Sequence, residues 1–238
     1  MTKKMGISTA AEALKKLQDK ANGRNTQEVF PASKPIEKKK AAVLDKSSFW
    51  KLFKKYAGAG YILDNRNQDV IFTVFRYFLQ DPDFNQAGII KSEPDLNKGL
   101  LIFGDYGIGK SYLFDILHKM GKELISQGNS LMWFRMVSAG ELVERYMSES
   151  TNKESTFRIE NFHKGKLYID DLGFEEKAFG RTELLGEVLF ERHRKNSRTF
   201  LTTNLNPTQI GQRYGARIED RLPEMFNIIK WEGQSFRK

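Results

Sequence analysis

The sequence predicts an α/β fold, and three short stretches predict it. Residues 99–103 (GLLIF) form a continuous apolar run that stops at a glycine-rich loop and is followed by a helical pattern. Residues 167–169 form a second run that ends in Asp170 and Asp171. Residues 198–204 (RTFLTTN) form a third, apolar in its middle and polar at its end. Short apolar runs bounded by turn residues suit buried strands. All three end in residues able to do chemistry, and ligands gather at the carboxyl ends of strands in open α/β sheets.

The first run leads into Gly104-Asp105-Tyr106-Gly107-Ile108-Gly109-Lys110-Ser111, which fits the phosphate-loop pattern G-x-x-x-x-G-K-[ST], the Walker A motif. Tyr112 opens the segment YLFDILHKMGKEL, in which Leu113, Ile116 and Leu117 share one helix face. Strand, loop and helix therefore follow in the required order. Gly104, Gly107 and Gly109 let the backbone turn its N–H groups toward phosphate oxygens, and the helix N-terminus adds its positive end. In such a loop Lys110 reaches the β- and γ-phosphates and the Ser111 hydroxyl ligates magnesium. The expected ligands are ATP and Mg2+. A chance glycine-rich turn is the alternative, and the flanking elements argue against it.

The second run supplies the partner site that a working NTPase needs. Asp170 is the Walker B candidate, holding magnesium directly or through water. Asp171 is the candidate that orients or deprotonates the attacking water. The plain alternative is a strand that ends in an acidic turn. The third run ends in Thr202, Thr203 and Asn204, whose amide suits a γ-phosphate or the attacking water. A turn-forming Asn before Leu205-Asn206-Pro207 is the alternative.

Charge divides the chain. Of its 238 residues, 39 are Lys or Arg and 30 are Asp or Glu, a net of +9. Residues 1–60 hold 14 basic and 5 acidic side chains, whereas 61–238 hold 25 of each, so the whole surplus lies in the first quarter. That quarter reads as a basic arm: a short helix face on Ala10, Ala11, Ala13, Leu14 and Leu17, then a linker across 20–47 with Pro31, Pro35 and a Lys38-Lys39-Lys40 run. Next, SFWKLFKKYAGAGYIL puts Phe49, Trp50 and Phe53 at helical spacing among lysines. This is either a docking helix whose aromatics enter the core or a nucleic-acid or partner face. The division drawn is 1–60, arm and linker, and 61–238, nucleotide-binding body. There is no cysteine, so disulfides, thiol nucleophiles and cysteine zinc sites are excluded. No run of 18 apolar residues occurs and no signal peptide is visible, which points to a cytoplasmic protein with no membrane partner.

Walker A, an acidic strand end and a polar strand end, in that order, resemble an AAA+ ATPase with Asn204 at the sensor 1 position. Residues 99–238 resemble the DnaC/IstB family of helicase loaders and transposition-associated ATPases more closely. The resemblance rests on GLLIFGDYGIGKSYL, VSAGELVERYM (137–147), LYIDDLG (167–173), TFLTTNLN (199–206), RYGARIEDRL (213–222) and WEGQSFR (231–237). It does not extend to residues 1–60. It implies a five-stranded parallel core between helices, ATP at the interfaces of a homo-oligomer, and an arginine finger. Arg221 is favoured for the finger and Arg217 is second; surface ion pairs with Glu219, Asp220 or Glu224 are the alternative for both. The chain ends soon after Trp231, which leaves no room for a C-terminal helical lid, as in the loader family.

The resemblance also implies partners. The first is a replicative helicase, docked through the basic arm; the alternative is a transposase, for an IstB-type ATPase on duplex DNA. Single-stranded DNA is expected along 134–165, where Phe134, Arg135, Lys153, Arg158, His163, Lys164 and Lys166 are spread, although Glu141, Glu144, Glu149 and Glu154 make a solvated face an equal reading. A second cluster, Arg192, Arg194, Lys195 and Arg198, reads as cations at a helix C-terminus.

Overall fold

The residues described by the computed structural model are 44–150, 152 and 154–236. The helix face around Ala10–Leu17 and most of the linker at 20–47 lie outside them. In chain order the elements are α1 (Lys46–Ala57), α2 (Gln68–Phe78), β1 (Gly99–Gly104), α3 (Lys110–Ser126), β2 (Arg135–Ser138), α4 (Ala139–Ser150), β3 (Leu167–Leu172), α5 (Leu184–Arg194), β4 (Thr199–Thr203), α6 (Pro207–Tyr214), α7 (Ala216–Met225) and β5 (Phe226–Trp231). The five strands make one all-parallel sheet in the order β2-β3-β4-β1-β5.

The alternation of side chains along each strand sorts the core into two layers. Leu100, Ile102, Tyr168, Phe200 and Ile229 join one layer with α1, α2 and α3. Their neighbours Leu101, Ile169 and Leu201 join the other, with α4, α5, α6 and α7. Helices cover both faces, which is why the strands read as continuous apolar runs rather than as alternating ones.

α1 begins where the Asp45 carboxylate accepts the Ser48 N–H at 2.8 Å and ends at Gly58, which has a φ of +74°. Phe49 and Phe53 are wholly buried and pack on Phe75 of α2 at ring-centroid distances of 4.7 and 4.6 Å. Of the two readings of this segment, the structure gives the core helix, with Lys51, Lys54 and Lys55 left in solvent. Losing either phenylalanine would cost about 3–5 kcal/mol. The body was expected to begin at residue 61. The correction is that residues 44–60 lie with it, because the aromatic face of α1 is part of the same core; all described residues fall in one compact unit.

Arg192 lies in the last turn of α5, as expected of a cation at a helix C-terminus, but it is fully buried. Its guanidinium donates to Thr199 Oγ1 at 2.8 Å and to the carbonyls of Phe162, Gly165 and Arg198 at 2.6, 2.6 and 2.7 Å. Burial pulls its pKa down to about 10. It ties the turn before β3 to the turn before β4, so it sets the register in which those two strands reach the site. Among the described residues no helix is long and apolar enough to cross a membrane.

Candidate functional site

β1 runs to Gly104 and α3 starts at Lys110, so the glycine-rich loop is the whole connection between them. Gly104, Gly107 and Gly109 all have positive φ, at +147°, +71° and +99°. At Gly104 the requirement is also one of space, because a Cβ there would lie 1.7 Å from the carbonyl oxygen of Trp231 on the neighbouring strand. The loop can form against β5 only because residue 104 has no side chain.

Lys110 opens α3 and is 5 % exposed. Its ammonium donates to the carbonyls of Gly104 and Asp105, at 2.9 and 2.6 Å, and to Asn204 Oδ1 at 2.8 Å. The lysine of the loop and the amide at the end of β4 are thus in direct contact across the site. Three neutral oxygens thus hold this ammonium at the head of α3, beside the loop where an anion would sit.

β3 continues to Leu172, past the end expected at Ile169, and its pairing with β4 slips between Ile169 and Leu172. The irregularity comes at the two aspartates. Asp171 takes a left-handed φ of +50°. Such a bulge re-aims a side chain that strict alternation would point away. Asp171 lines the central cavity with Lys110, Ser111 and Asn204, whereas Asp170 is not among the lining residues. The Asp170 Oδ1 accepts hydrogen bonds from the hydroxyls of Tyr168 and Thr202, each at 2.5 Å. Burial, and after it the Asp170 charge, push the Tyr168 phenol well above its ordinary pKa, so it stays a donor. Sequence reading passed over Tyr168; its position two residues before Asp170, on the same strand face, was the available signal.

The loop after Asp171 has its own brace. Arg213 donates to the carbonyls of Gly173 and Glu175, and pairs with the carboxylates of Glu175 at 3.3 Å and Glu183 at 3.5 Å. The buried Glu175 accepts the Gly173 N–H at 2.8 Å and the Tyr214 hydroxyl. Arg213 and Tyr214 stand at the head of RYGARIEDRL, but two arginines later in that segment drew the attention.

The cavity has a volume of about 930 Å³, in the range of small-molecule sites. Its lining divides in kind. Gly107, Gly109, Lys110, Ser111, Asp171 and Asn204 are a polar set. Ala57, Gly60, Tyr61, Ile62, Asn67, Tyr106, Ile108, Phe174 and Phe236 are a largely apolar one. Tyr112 joins them, its ring stacked on Tyr61 at 6.1 Å and its hydroxyl donating to the Ala57 carbonyl at 2.9 Å. Ile108 is buried, Tyr106 is exposed, and Asp105 accepts the Gly233 N–H at 3.1 Å. Nothing in the sequence alone placed Tyr61, Ile62, Asn67 or Phe236 at the site.

The described residues contain no group of three or more His, Asp or Glu able to hold a metal ion. Magnesium does not need one, since one or two protein oxygens suffice when phosphates and water complete the octahedron. The Ser111 hydroxyl and an Asp170 carboxylate already oriented by two hydroxyls are donors of the right kind.

Arg217 and Arg221 are not brought to this cavity. Both lie on α7, neither lines the cavity, and neither makes an ion pair among the described residues. Arg217 is exposed. Arg221 lies over the Phe190 ring at 4.4 Å, with Nη1 buried and unpartnered. The expected surface ion pairs with Glu219, Asp220 or Glu224 are absent among the described residues. Along the stretch after residue 133 the side chains of Arg135, Arg158 and Lys164 are exposed. Phe134 is wholly buried, Arg135 covers Phe162 at 5.1 Å, Arg158 donates to the Ser155 and Phe157 carbonyls, and Lys166 donates to the Leu131 carbonyl. Lys153 lies outside the described residues.

A parallel β2-β3-β4-β1-β5 sheet with its glycine-rich loop after β1 and acidic and amide residues at the ends of β3 and β4 defines the class: this is the α/β fold of an AAA+ P-loop domain. The solved DnaC helicase loader has that fold, with a TM-score of 0.53 at 18 % identity over 79 % of this chain and 99 % of that one. In sequence, the chain is similar to the replicative helicase loader DnaI of Bacillus subtilis (strain 168), 23 % identical over 159 residues, which cover 61 % of this chain and 50 % of DnaI. It is also similar to the chromosomal replication initiator protein DnaA of Leifsonia xyli subsp. xyli, 27 % identical over 128 residues, 53 % of this chain and 25 % of DnaA. The matches thus span half the length of the first relative and a quarter of the second. No family model matches the chain.

Proposed function

We propose that this protein is an ATP-dependent loader of a replicative helicase. The observation that carries the reading is the meeting of Lys110, Ser111, Asp171 and Asn204 in one cavity at the carboxyl ends of β1, β3 and β4. The likeness to DnaI supports the helicase over a transposase as partner.

In this reading the Lys110 ammonium exchanges the Asn204 oxygen for the β- and γ-phosphate oxygens of ATP. Backbone N–H groups of the loop and the first turn of α3 receive the remaining phosphate charge. Ser111 and Asp170 would hold magnesium, which would supply charge neutralisation to the phosphates. Asp171 orients the attacking water and accepts its proton, and Asn204 positions that water or the γ-phosphate. Arg217 or Arg221 of a neighbouring copy reaches the γ-phosphate, because neither lies at its own chain's cavity. Assembly on the helicase and single-stranded DNA accompanies ATP binding, and release accompanies hydrolysis.

The test is co-purification of the full chain with the helicase of its own organism, with and without ATP. The wild type is expected to retain helicase with ATP and to lose it with Lys110→Ala. Deletion of residues 1–60 removes core helix α1 as well as the arm, so the arm is tested by deleting residues 1–40 only. That variant is expected to bind ATP but not helicase. Retention of helicase by the truncated chain would show that the arm is not the docking segment. Recovery of a transposase rather than a helicase would replace the reading with the IstB-type one.

A further inference from the structure

The apolar end of the cavity is shaped in part by the segment that follows β5, and nothing in the loop-and-aspartate chemistry uses it. That segment is pinned at four places. The Trp231 indole N–H donates to the Arg66 carbonyl at 3.2 Å. The Gly233 N–H donates to Asp105 Oδ2 at 3.1 Å, and the Phe236 N–H to the Gly107 carbonyl at 2.9 Å. The Phe236 ring lies under the Arg66 guanidinium, 4.4 Å from its carbon to the ring centroid, and Arg66 is in turn paired with Asp64. Two of these contacts hold the phosphate loop and two hold the turn between α1 and α2. The segment therefore ties together the two walls between which a bound nucleotide must lie.

Phe236 is the residue of this strap that faces the cavity. One face of its ring is occupied by Arg66, and the ring also lines the cavity with Tyr61 and Ile62. Asn67 fixes the shape of that wall, its amide donating to the Ile62 carbonyl at 2.8 Å and accepting the Asp64 N–H at 3.0 Å. An aromatic ring backed by a guanidinium, in a lining shared with a tyrosine and an isoleucine, is chemistry for a flat heteroaromatic group, not for phosphate or ribose. The polar end of the same cavity accounts for the phosphates.

We infer that Phe236 is a specificity-determining residue, the aromatic platform for the base of the bound nucleoside triphosphate, and that residues 232–236 form a strap closing the base end of the site. The inference rests on the reading of the cavity as a nucleotide site. It extends that reading to a residue 125 positions beyond Ser111, outside every motif assigned to phosphate or metal. Three of the four anchoring contacts come from the backbone and from Trp231, so removing the Phe236 ring loses the Arg66 contact but leaves the Gly107 and Asp105 hydrogen bonds in place.

The experiment separates base from phosphate. Binding of ATP and of inorganic tripolyphosphate is measured by calorimetry on the full chain, with Phe236→Ala and Phe236→Trp. Loss of one base–aromatic stack is expected to weaken ATP binding about 10-fold in Phe236→Ala. Tripolyphosphate binding should not change, and Phe236→Trp should restore the ATP affinity. Equal weakening of both ligands would overturn the inference, since the ring would then be supporting the loop rather than the base. So would ATP affinity in Phe236→Ala equal to the wild type. Failure of the wild type to bind either ligand is a different outcome: it would overturn the nucleotide reading itself, and this inference with it. A melting curve of each variant without ligand confirms that folded proteins are compared; if Phe236→Ala melts early, Phe236→Leu, which keeps an apolar side chain but no ring, takes its place in the same comparison.

Discussion

A carboxylate that must bind a cation works best when it is already oriented, and Asp170 is oriented by its neighbours rather than by the backbone alone. Tyr168 and Thr202 both give their hydroxyl protons to the same oxygen. Tyr168 is also stacked on Phe114 at 4.2 Å, with 12° between the rings, so its aromatic body is needed for packing whatever its hydroxyl does. Tyr168→Phe separates the two roles, since it keeps the ring and removes one of the two donors. Loss of an outer-shell partner costs about 10–100-fold in metal affinity or activity. We predict that the magnesium concentration needed for half-maximal ATP hydrolysis rises by about that factor, while ATP affinity measured without magnesium stays within about twofold. An unchanged magnesium requirement would remove Asp170 from the metal role.

Among the elements, the glycine-rich loop shows which features a sequence can carry. Its pattern, the strand before it and the helix after it are all local, and they were legible to within one or two residues. Lys110 and Ser111 lie inside the helix rather than before it because the loop residue Gly109, at a φ of +99°, takes the cap position. The resemblance implied five parallel strands but not their order. What was not legible is whatever depends on two distant segments meeting: the Arg213 brace on the loop after Asp171, the bulge that turns Asp171 inward, and the approach of Trp231 to Gly104. The burial of Arg192 was not legible for the same reason, because a buried and a surface arginine look alike in sequence when the buried one is satisfied by carbonyls. Gly104→Ala tests the element. Strain of about 1–3 kcal/mol is expected from the left-handed φ and the collision with Trp231. At about 2–4 °C per kcal/mol for a chain of this size, the melting temperature should fall by roughly 5 °C, and ATP binding should be lost with it. Lys110→Ala should lose ATP binding without that fall. Thermal melts of the two variants together with ATP titration distinguish a loop that cannot form from a loop that lacks its cation.

At the scale of the whole molecule, the proposed function needs two groups of residues that do not meet within one chain. The cavity carries Lys110, Asp171 and Asn204, and Arg217 and Arg221 on α7 make no ion pair among the described residues. In the proposed reading a head-to-tail assembly of identical copies would bring one chain's α7 to the next chain's cavity; such heterologous contacts build rings or helices. Complementation tests this directly. Lys110→Ala removes the nucleotide and keeps the arginines, whereas the Arg217→Ala, Arg221→Ala double variant keeps the nucleotide and loses the cations. Each alone should hydrolyse ATP at least 10³-fold more slowly than the wild type, the usual effect of losing an arginine finger or the lysine it works beside. Mixed in equal amounts, they pair an intact cavity with an intact α7 at about one interface in four by chance association. We predict recovery to about a quarter of the wild-type rate, measured as phosphate release under the conditions in which the wild type assembles. Repeating the mixture with each single arginine variant in place of the double identifies the finger, because the single variant that is inactive alone and rescued by Lys110→Ala is the one whose arginine acts across the interface. If the double variant were fully active alone, or inactive and not rescued, the arginines would have no role between copies, and the unpartnered state of Arg217 and Arg221 would need another cause.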